Sequence, residues 1–161
     1  MLHSTISAKV NRALRTFARQ ETYPPNVNEK TLTGNLANYL KREFPSWDVD
    51  AEYDRDLAAQ KKLKGKRVYP DIIVHHRQQK GASANLLVIE AKKSNNRDRG
   101  ARDRQKLHDF HDDDNYRYQH CAFLIFSSAP EQPHKVEWLC CRSGISTDDG
   151  ASPRTAPRPS R

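Results

Sequence analysis

The sequence predicts an α/β (α+β) domain in which a mixed central sheet is flanked by helices. Three observations predict it. Apolar side chains recur at helical spacing through Phe17 and again from Leu32 to Phe44, "NLLVIEAKK" and "HCAFLIFSS" are near-unbroken apolar runs of strand length, and "WDVDAEYDR" alternates strictly. With 161 residues the chain has enough length for one mixed core. The expected division is an N-terminal amphipathic basic helix over 1–22, one domain over 23–141 and a disordered tail over 142–161.

The elements follow in chain order. Leu2, Ile6, Val10, Leu14 and Phe17 form an apolar stripe, with Lys9, Arg12, Arg15 and Arg19 elsewhere around the cylinder. A helix packed on the domain with a solvated basic face accounts for this better than a nucleic-acid arm. "TYPPN" breaks the chain. The next helix has Asn28 as N-cap, Val27 and Leu32 at the positions of a hydrophobic staple, and a stop at Pro45. Glu29 falls in its first turn, where an acidic side chain favours the helix dipole by ~0.3–1 kcal/mol.

In "WDVDAEYDR" the residues Trp47, Val49, Ala51 and Tyr53 fall on one face of a half-buried strand. "LAAQKKLKGKR" reads as a basic connection turning at Gly65, and "VYPDIIVHH" as a strand whose Pro70 implies an edge, a bulge or an irregular start. "RQQKGASA" is a polar turn before the strand from Asn85 to Lys92, so three strands in succession make an antiparallel meander. A polar helix anchored by Ala101, Leu107 and Phe110 follows, then the strands "HCAFLIFSS" and "KVEWLCC". The tail from Arg142 is rich in Ser, Pro, Gly and Arg.

Composition narrows the function. A total of 28 Lys and Arg against 20 Asp and Glu gives a formal charge of +8, which favours a polyanionic partner, nucleic acid before membrane. No apolar run approaches the ~20 residues of a membrane span, and no continuous apolar leader follows the N-terminal charges. A soluble cytoplasmic protein without a membrane partner is expected. Cys121, Cys140 and Cys141 show no metal-ligand spacing and make a poor disulfide framework, so Cys121 and Cys140 read as small buried hydrophobes. His108, His111 and Asp112 stand at helical spacing that could suggest a second metal site, but a solvated helix end running into a turn accounts for them better, and nothing pairs His75 or His76 with a nucleophile.

"NLLVIEAKK" is unusual in ending a core strand in charge. Period two sends Leu86, Val88, Glu90 and Lys92 to one face and Leu87, Ile89 and Ala91 to the other, so Glu90 and Lys92 project together. Asp71 follows Pro70 on the neighbouring strand and can meet them. Desolvated carboxylates repel one another, and a divalent cation would relieve the repulsion between Asp71 and Glu90. Hard oxygen ligands suit Mg²⁺ or Mn²⁺, an ion that activates water and polarises a phosphodiester. Lys92 would orient or deprotonate the water, or neutralise the phosphorane.

Pro70-Asp71 followed by Glu90-Ala91-Lys92 resembles the PD-(D/E)XK motif of the restriction-endonuclease-like nucleases. "EYDR", "YPDIIVHHR", "NLLVIEAKKSNN" and the later "DRQKL" are similar to small bacterial members of that superfamily, from about Glu29 to about Phe126. The resemblance implies an αβββαβ core with an extra N-terminal helix, Asp71 and Glu90 as metal ligands, the Ala91 carbonyl assisting them, and Lys92 as the catalytic lysine. It also implies a further acidic residue on the first helix of the core, where Glu29 matches, with Glu52 as the competing candidate.

The activity expected is Mg²⁺- or Mn²⁺-dependent hydrolysis of nucleic acid, DNA before RNA. Basic runs flank the site: Lys61, Lys62, Lys64, Lys66 and Arg67 before Asp71, and Lys93, Arg97, Arg99, Arg102 and Arg104 after it. Of these, Lys66, Arg67, Lys93, Arg97 and Arg102 are the candidates for holding the phosphate backbone. A second reading keeps the fold and drops catalysis: a nucleic-acid-binding or protein-interaction subunit of a mobile-element or defence system. A homodimer or a partner protein fits either reading.

Overall fold

A computed structural model describes residues 1–53, 55–56, 59–94, 100–128 and 133–141. Among the described residues, three helices and a five-stranded mixed sheet make a mixed α/β fold. In chain order the elements are α1 (His3–Gln20), α2 (Glu29–Glu43), β1 (Asp48–Ala51), β2 (Arg55–Asp56), β3 (Ala59–Gln60), β4 (Lys62–Leu63), β5 (Lys66–Arg67), β6 (Ile72–His75), β7 (Asn85–Lys93), α3 (Ala101–Asp112), β8 (His120–Phe126) and β9 (Lys135–Cys141).

The main sheet runs β1-β6-β7-β8-β9. The β1–β6 and β6–β7 pairs are antiparallel, as a meander requires, while β7 and β8 run parallel with α3 as their crossover. β9 closes the far edge antiparallel to β8. Central position explains the composition of β7: seven of its nine residues are buried, because helices cover both faces. Burying each Leu, Val or Ile contributes about 1.5–3 kcal/mol, so the strand is a rigid platform.

One face of the sheet packs α1 and α2, with Phe17, Leu36, Leu40, Ile72, Leu87, Ile89 and Leu124 among the buried residues. The other packs α3 through Leu107 and Phe110 against Val88, Cys121 and Phe123. Alternation along β7 therefore turns Glu90 and Lys92 to the α3 side. Leu86 departs from the expected alternation. Val74 pairs with Leu87 and His75 with Asn85, so Leu86 is bulged out of the ladder and joins the same core as Leu87.

The helix starts follow local chemistry. Asn28 Oδ1 accepts from Thr31 N at 2.8 Å, the expected N-cap, and α2 ends at Glu43 with Phe44 as its C-cap just before Pro45. α1 buries Ile6, Val10, Ala13, Leu14 and Phe17, but Leu2 is its N-cap and is 69% exposed, outside the stripe to which the periodicity assigns it. Ala101 is likewise exposed at the start of α3 and anchors nothing; Leu107 and Phe110 hold that helix.

Two further differences from the sequence reading have local causes. The alternating strand stops at Ala51, because Glu52 adopts φ +51° and turns the backbone out of the ladder. The basic connection contains a short hairpin: Lys62 pairs with Arg67 and Leu63 with Lys66, leaving Lys64-Gly65 as a two-residue turn. Both turn residues have positive φ, at 49° and 78°, as a type I′ turn needs, and glycine adopts this without strain. Lys61 is not part of an exposed basic run; it is 3% exposed, with Nζ 4.8 Å from the centroid of the Tyr116 ring. The tail over 142–161 and Arg97 lie outside the described residues. Among the described residues, no helix is long and apolar enough to cross a membrane.

Candidate active site

The site forms where β6 begins and β7 ends. Ile72 pairs with Ile89, which sets Asp71 beside Glu90 at the open end of the antiparallel pair. The Ala91 N–H donates to Asp71 Oδ2 at 2.8 Å, and the Glu52 N–H donates to the Asp71 carbonyl at 3.1 Å. Pro70 is buried just upstream, fixing the approach of the chain. Asp71 is therefore held by its side chain and its backbone together.

Glu90 is 1% exposed, an unusual position for a carboxylate without several donors. Its only direct ionic partner among the described residues is Lys106 of α3, whose Nζ is 2.8 Å from both carboxylate oxygens. The hydrogen bond is aligned with Oε2, so Oε1 has the charge contact without a well-directed donor. Lys106 also donates to the Tyr69 carbonyl at 2.6 Å, tying α3 to the segment that leads into Asp71.

Burial, followed by the charge of Asp71, raises the Glu90 pKa to about 8 despite the opposing ammonium of Lys106. Burial also raises that of Asp71, against the Ala91 N–H and the two nearby lysines.

Lys92 stands on the same side of β7. Its Nζ is 3.4 Å from Asp103 Oδ2 and 3.7 Å from Glu29 Oε1. Burial disfavours its charge, but Asp103, then Glu29, and also Asp71 outweigh that cost, and its pKa is raised. Glu29 reaches the site from the first turn of α2: its Oε2 accepts from the Lys93 backbone N–H at 2.6 Å. The Asn28 cap thus serves position as well as stability, since it fixes the turn that carries Glu29.

Asp71 is bonded to the Ala91 N–H beside Glu90, and Lys92 stands between Glu29 and Asp103. Glu52 adjoins them through its backbone only. Its side chain is exposed and lies 2.9 Å from Lys30 at the rim. Lys93 points away from the carboxylates and donates to the Pro25 and Val27 carbonyls at 2.7 and 2.9 Å, fastening the entry of α2. Lys66, Arg67 and Arg102 are exposed, with Arg67 Nη1 donating to the Tyr69 hydroxyl at 3.1 Å. Lys64 and Arg104 are paired with Asp109 and Glu137. His75 bonds Asp50 at 3.0 Å, an edge-strand contact remote in sequence from any nucleophile.

Two members of the site escape a sequence reading centred on β7: Asp103 and Lys106. Asp103 is four residues before the buried Leu107, and Lys106 four before the buried Phe110, so both lie along the inward stripe of α3. Charge at those positions in a helix with few apolar anchors was the available signal.

Comparisons with protein-family models, with curated proteins and with solved structures gave no match. Glu29, Asp71, Glu90 and Asp103 face the ammonium groups of Lys92 and Lys106, so full ionisation would leave two uncompensated negative charges. One divalent cation matches that excess. The donors are hard oxygens, among them the Glu90 oxygen that lacks an aligned hydrogen bond, so the residues fit Mg²⁺ or Mn²⁺.

Proposed function

We propose that the chain is a metal-dependent nuclease that hydrolyses phosphodiester bonds, with DNA preferred to RNA. The observation that carries the proposal is the convergence of Asp71 and Glu90 on one strand end with Lys92 between Glu29 and Asp103. The succession α2, β1, β6, β7, α3 and β8 supports an αβββαβ restriction-endonuclease-like core, to which α1 and β9 are additions.

Asp71, Glu90 and the Ala91 carbonyl would hold Mg²⁺ or Mn²⁺, an ion that when bound lowers the pKa of water and polarises a phosphodiester. Lys92 has a distinct task. Its raised pKa keeps it charged at neutral pH, so it acts as a cation that orients the attacking water and offsets the charge developing on phosphorus, in preference to acting as a base. Asp103 and Glu29 hold that ammonium from two sides. Lys106 balances Glu90, and Tyr69 links it to the exposed Arg67, which with Lys66 and Arg102 supplies cations for the phosphate backbone.

One observation favours the competing reading of a catalytically inactive nucleic-acid-binding or interaction subunit: Lys106 supplies Glu90 with a positive charge from within the chain. A single experiment separates the two. The purified protein is incubated with linear, circular, single-stranded and RNA substrates in Mg²⁺ or Mn²⁺, beside Lys92→Ala and Asp71→Asn. Ion-dependent cleavage lost in both variants supports the nuclease. Salt-sensitive binding without cleavage supports the inactive reading, and cleavage undiminished by Lys92→Ala removes the assignment of that residue.

A further inference from the structure

Two features of the sequence lie outside the carboxylate site: His108 and His111, three residues apart on α3, and the cysteines of β8 and β9. The fold brings them together. Cys121 and Cys140 are cross-strand partners in the β8–β9 ladder, so their side chains share a face of the sheet, and that face packs α3. Ligand atoms of His111, Cys121 and Cys140 all lie within 4.8 Å of one another. His108 Nδ1 is 3.3 Å from Cys140 Sγ, which adds a fourth donor at the edge of the group.

The imidazole of His111 is fixed by a backbone contact. Its Nδ1 is 2.8 Å from the Tyr118 carbonyl; a carbonyl only accepts, so Nδ1 carries the proton and the lone pair resides on Nε2. A ring N–H anchored on a backbone carbonyl fixes the tautomer and the ring orientation, as the partners behind histidine ligands do. Cys121 Sγ donates to the Leu107 carbonyl at 3.3 Å. Packing alone explains two buried thiols. It does not explain an imidazole bonded to one of them and a second beside both.

We propose that Cys121, Cys140, His111 and His108 form a Zn²⁺ site, with two thiolates and two imidazoles as ligands. Soft sulfur donors in a four-ligand set select zinc and exclude Mg²⁺, so this site and the carboxylate site would take different ions. With all four positions filled by protein the role is structural. The ion would pin the last turns of α3 to β8 and β9, while the first turns of the same helix carry Asp103 and Lys106. The inference rests on the geometry of α3 with β8 and β9, and it stands or falls separately from the nuclease reading.

The test uses the full chain, purified under reducing conditions without chelator, with metal content measured by mass spectrometry and the zinc then exchanged for Co²⁺. A single zinc per chain is expected, together with a sulfur-to-cobalt charge-transfer band and the intense visible bands of tetrahedral cobalt. Cys140→Ser should lose charge-transfer intensity and weaken Co²⁺ binding by more than the ~10–100-fold typical of an outer-layer partner. His108→Gln should keep the charge-transfer band and shift the visible bands, and Asp71→Asn should change neither. Circular dichroism confirms that each variant is folded. Absence of stoichiometric zinc together with the weak spectrum of octahedral cobalt overturns the proposal, as does a cobalt spectrum unaltered by Cys140→Ser in a folded protein.

Discussion

Replacing Glu90 by Gln removes a buried titratable group and keeps the shape of the side chain, so its effect can be worked out from the site. The folded state holds the proton on Glu90 up to about pH 8, whereas the ordinary value is 4.5. Between those two pH values the folded chain binds a proton that the unfolded chain has released. This contribution to stability is complete below the unfolded pKa and is lost as pH rises through the folded one. Each tenfold displacement is worth about 1.4 kcal/mol, which for a shift of this size amounts to ~3–5 kcal/mol across the window. Urea unfolding in EDTA from about pH 5 to about pH 9 should show wild type losing stability relative to Glu90→Gln by that order of magnitude. Taking the difference between the two proteins isolates Glu90 from other titrating groups, including His120, which burial holds down at about 4. Metal binding must displace the same proton, so Mg²⁺ affinity should rise up to about tenfold per pH unit below about pH 8, and Glu90→Gln should lose the calorimetric signal. Parallel stability profiles for the two proteins would refute the argument that Glu90 is held protonated by burial and Asp71.

Four other substitutions probe separate parts of the account. Lys92→Ala should lower cleavage by ~10²–10⁴-fold with the circular dichroism unchanged, as expected for loss of a positioned catalytic cation. Lys106→Met removes a cation 2.8 Å from Glu90, so divalent-ion affinity measured above the Glu90 pKa should increase; a decrease would show that Lys106 supports the ion site instead of competing with it. Asn28→Ala removes the acceptor of two hydrogen bonds from Thr31 and should cost about 1 kcal/mol in urea unfolding, with a matching loss of activity if the cap positions Glu29. Gly100→Ala should destabilise by about 1–3 kcal/mol, because φ is +67° and the added Cβ would run into the Phe123 ring; a neutral result would mean that the start of α3 can shift.

The elements that dominate the core were the legible ones. β7 and β8 are buried on both faces and so appear as continuous apolar runs, and α2 carries its own start and stop in Asn28 and Pro45. Asp71, Glu90 and Lys92 were legible because two strand periodicities deliver them to one point. What remained hidden depends on backbone geometry or on tertiary contact. The positive φ of Glu52 shortens β1 and turns its carboxylate to Lys30, and no residue pattern announces that conformation. The bulge at Leu86 is set by pairing with β6, not by β7 itself. Asp103 and Lys106 enter the site only because α3 packs across β7, and Cys121 and Cys140 become neighbours only because β9 returns beside β8.

The most direct measurement is a crystal of the full chain grown with Mn²⁺ and examined by anomalous diffraction. An anomalous peak ligated by Asp71, Glu90 and the Ala91 carbonyl is expected, with Lys106 drawn away from Glu90 and Lys92 still between Asp103 and Glu29. A structure at saturating Mn²⁺ in which Lys106 remains on both Glu90 oxygens and no ion lies beside Asp71 would contradict it.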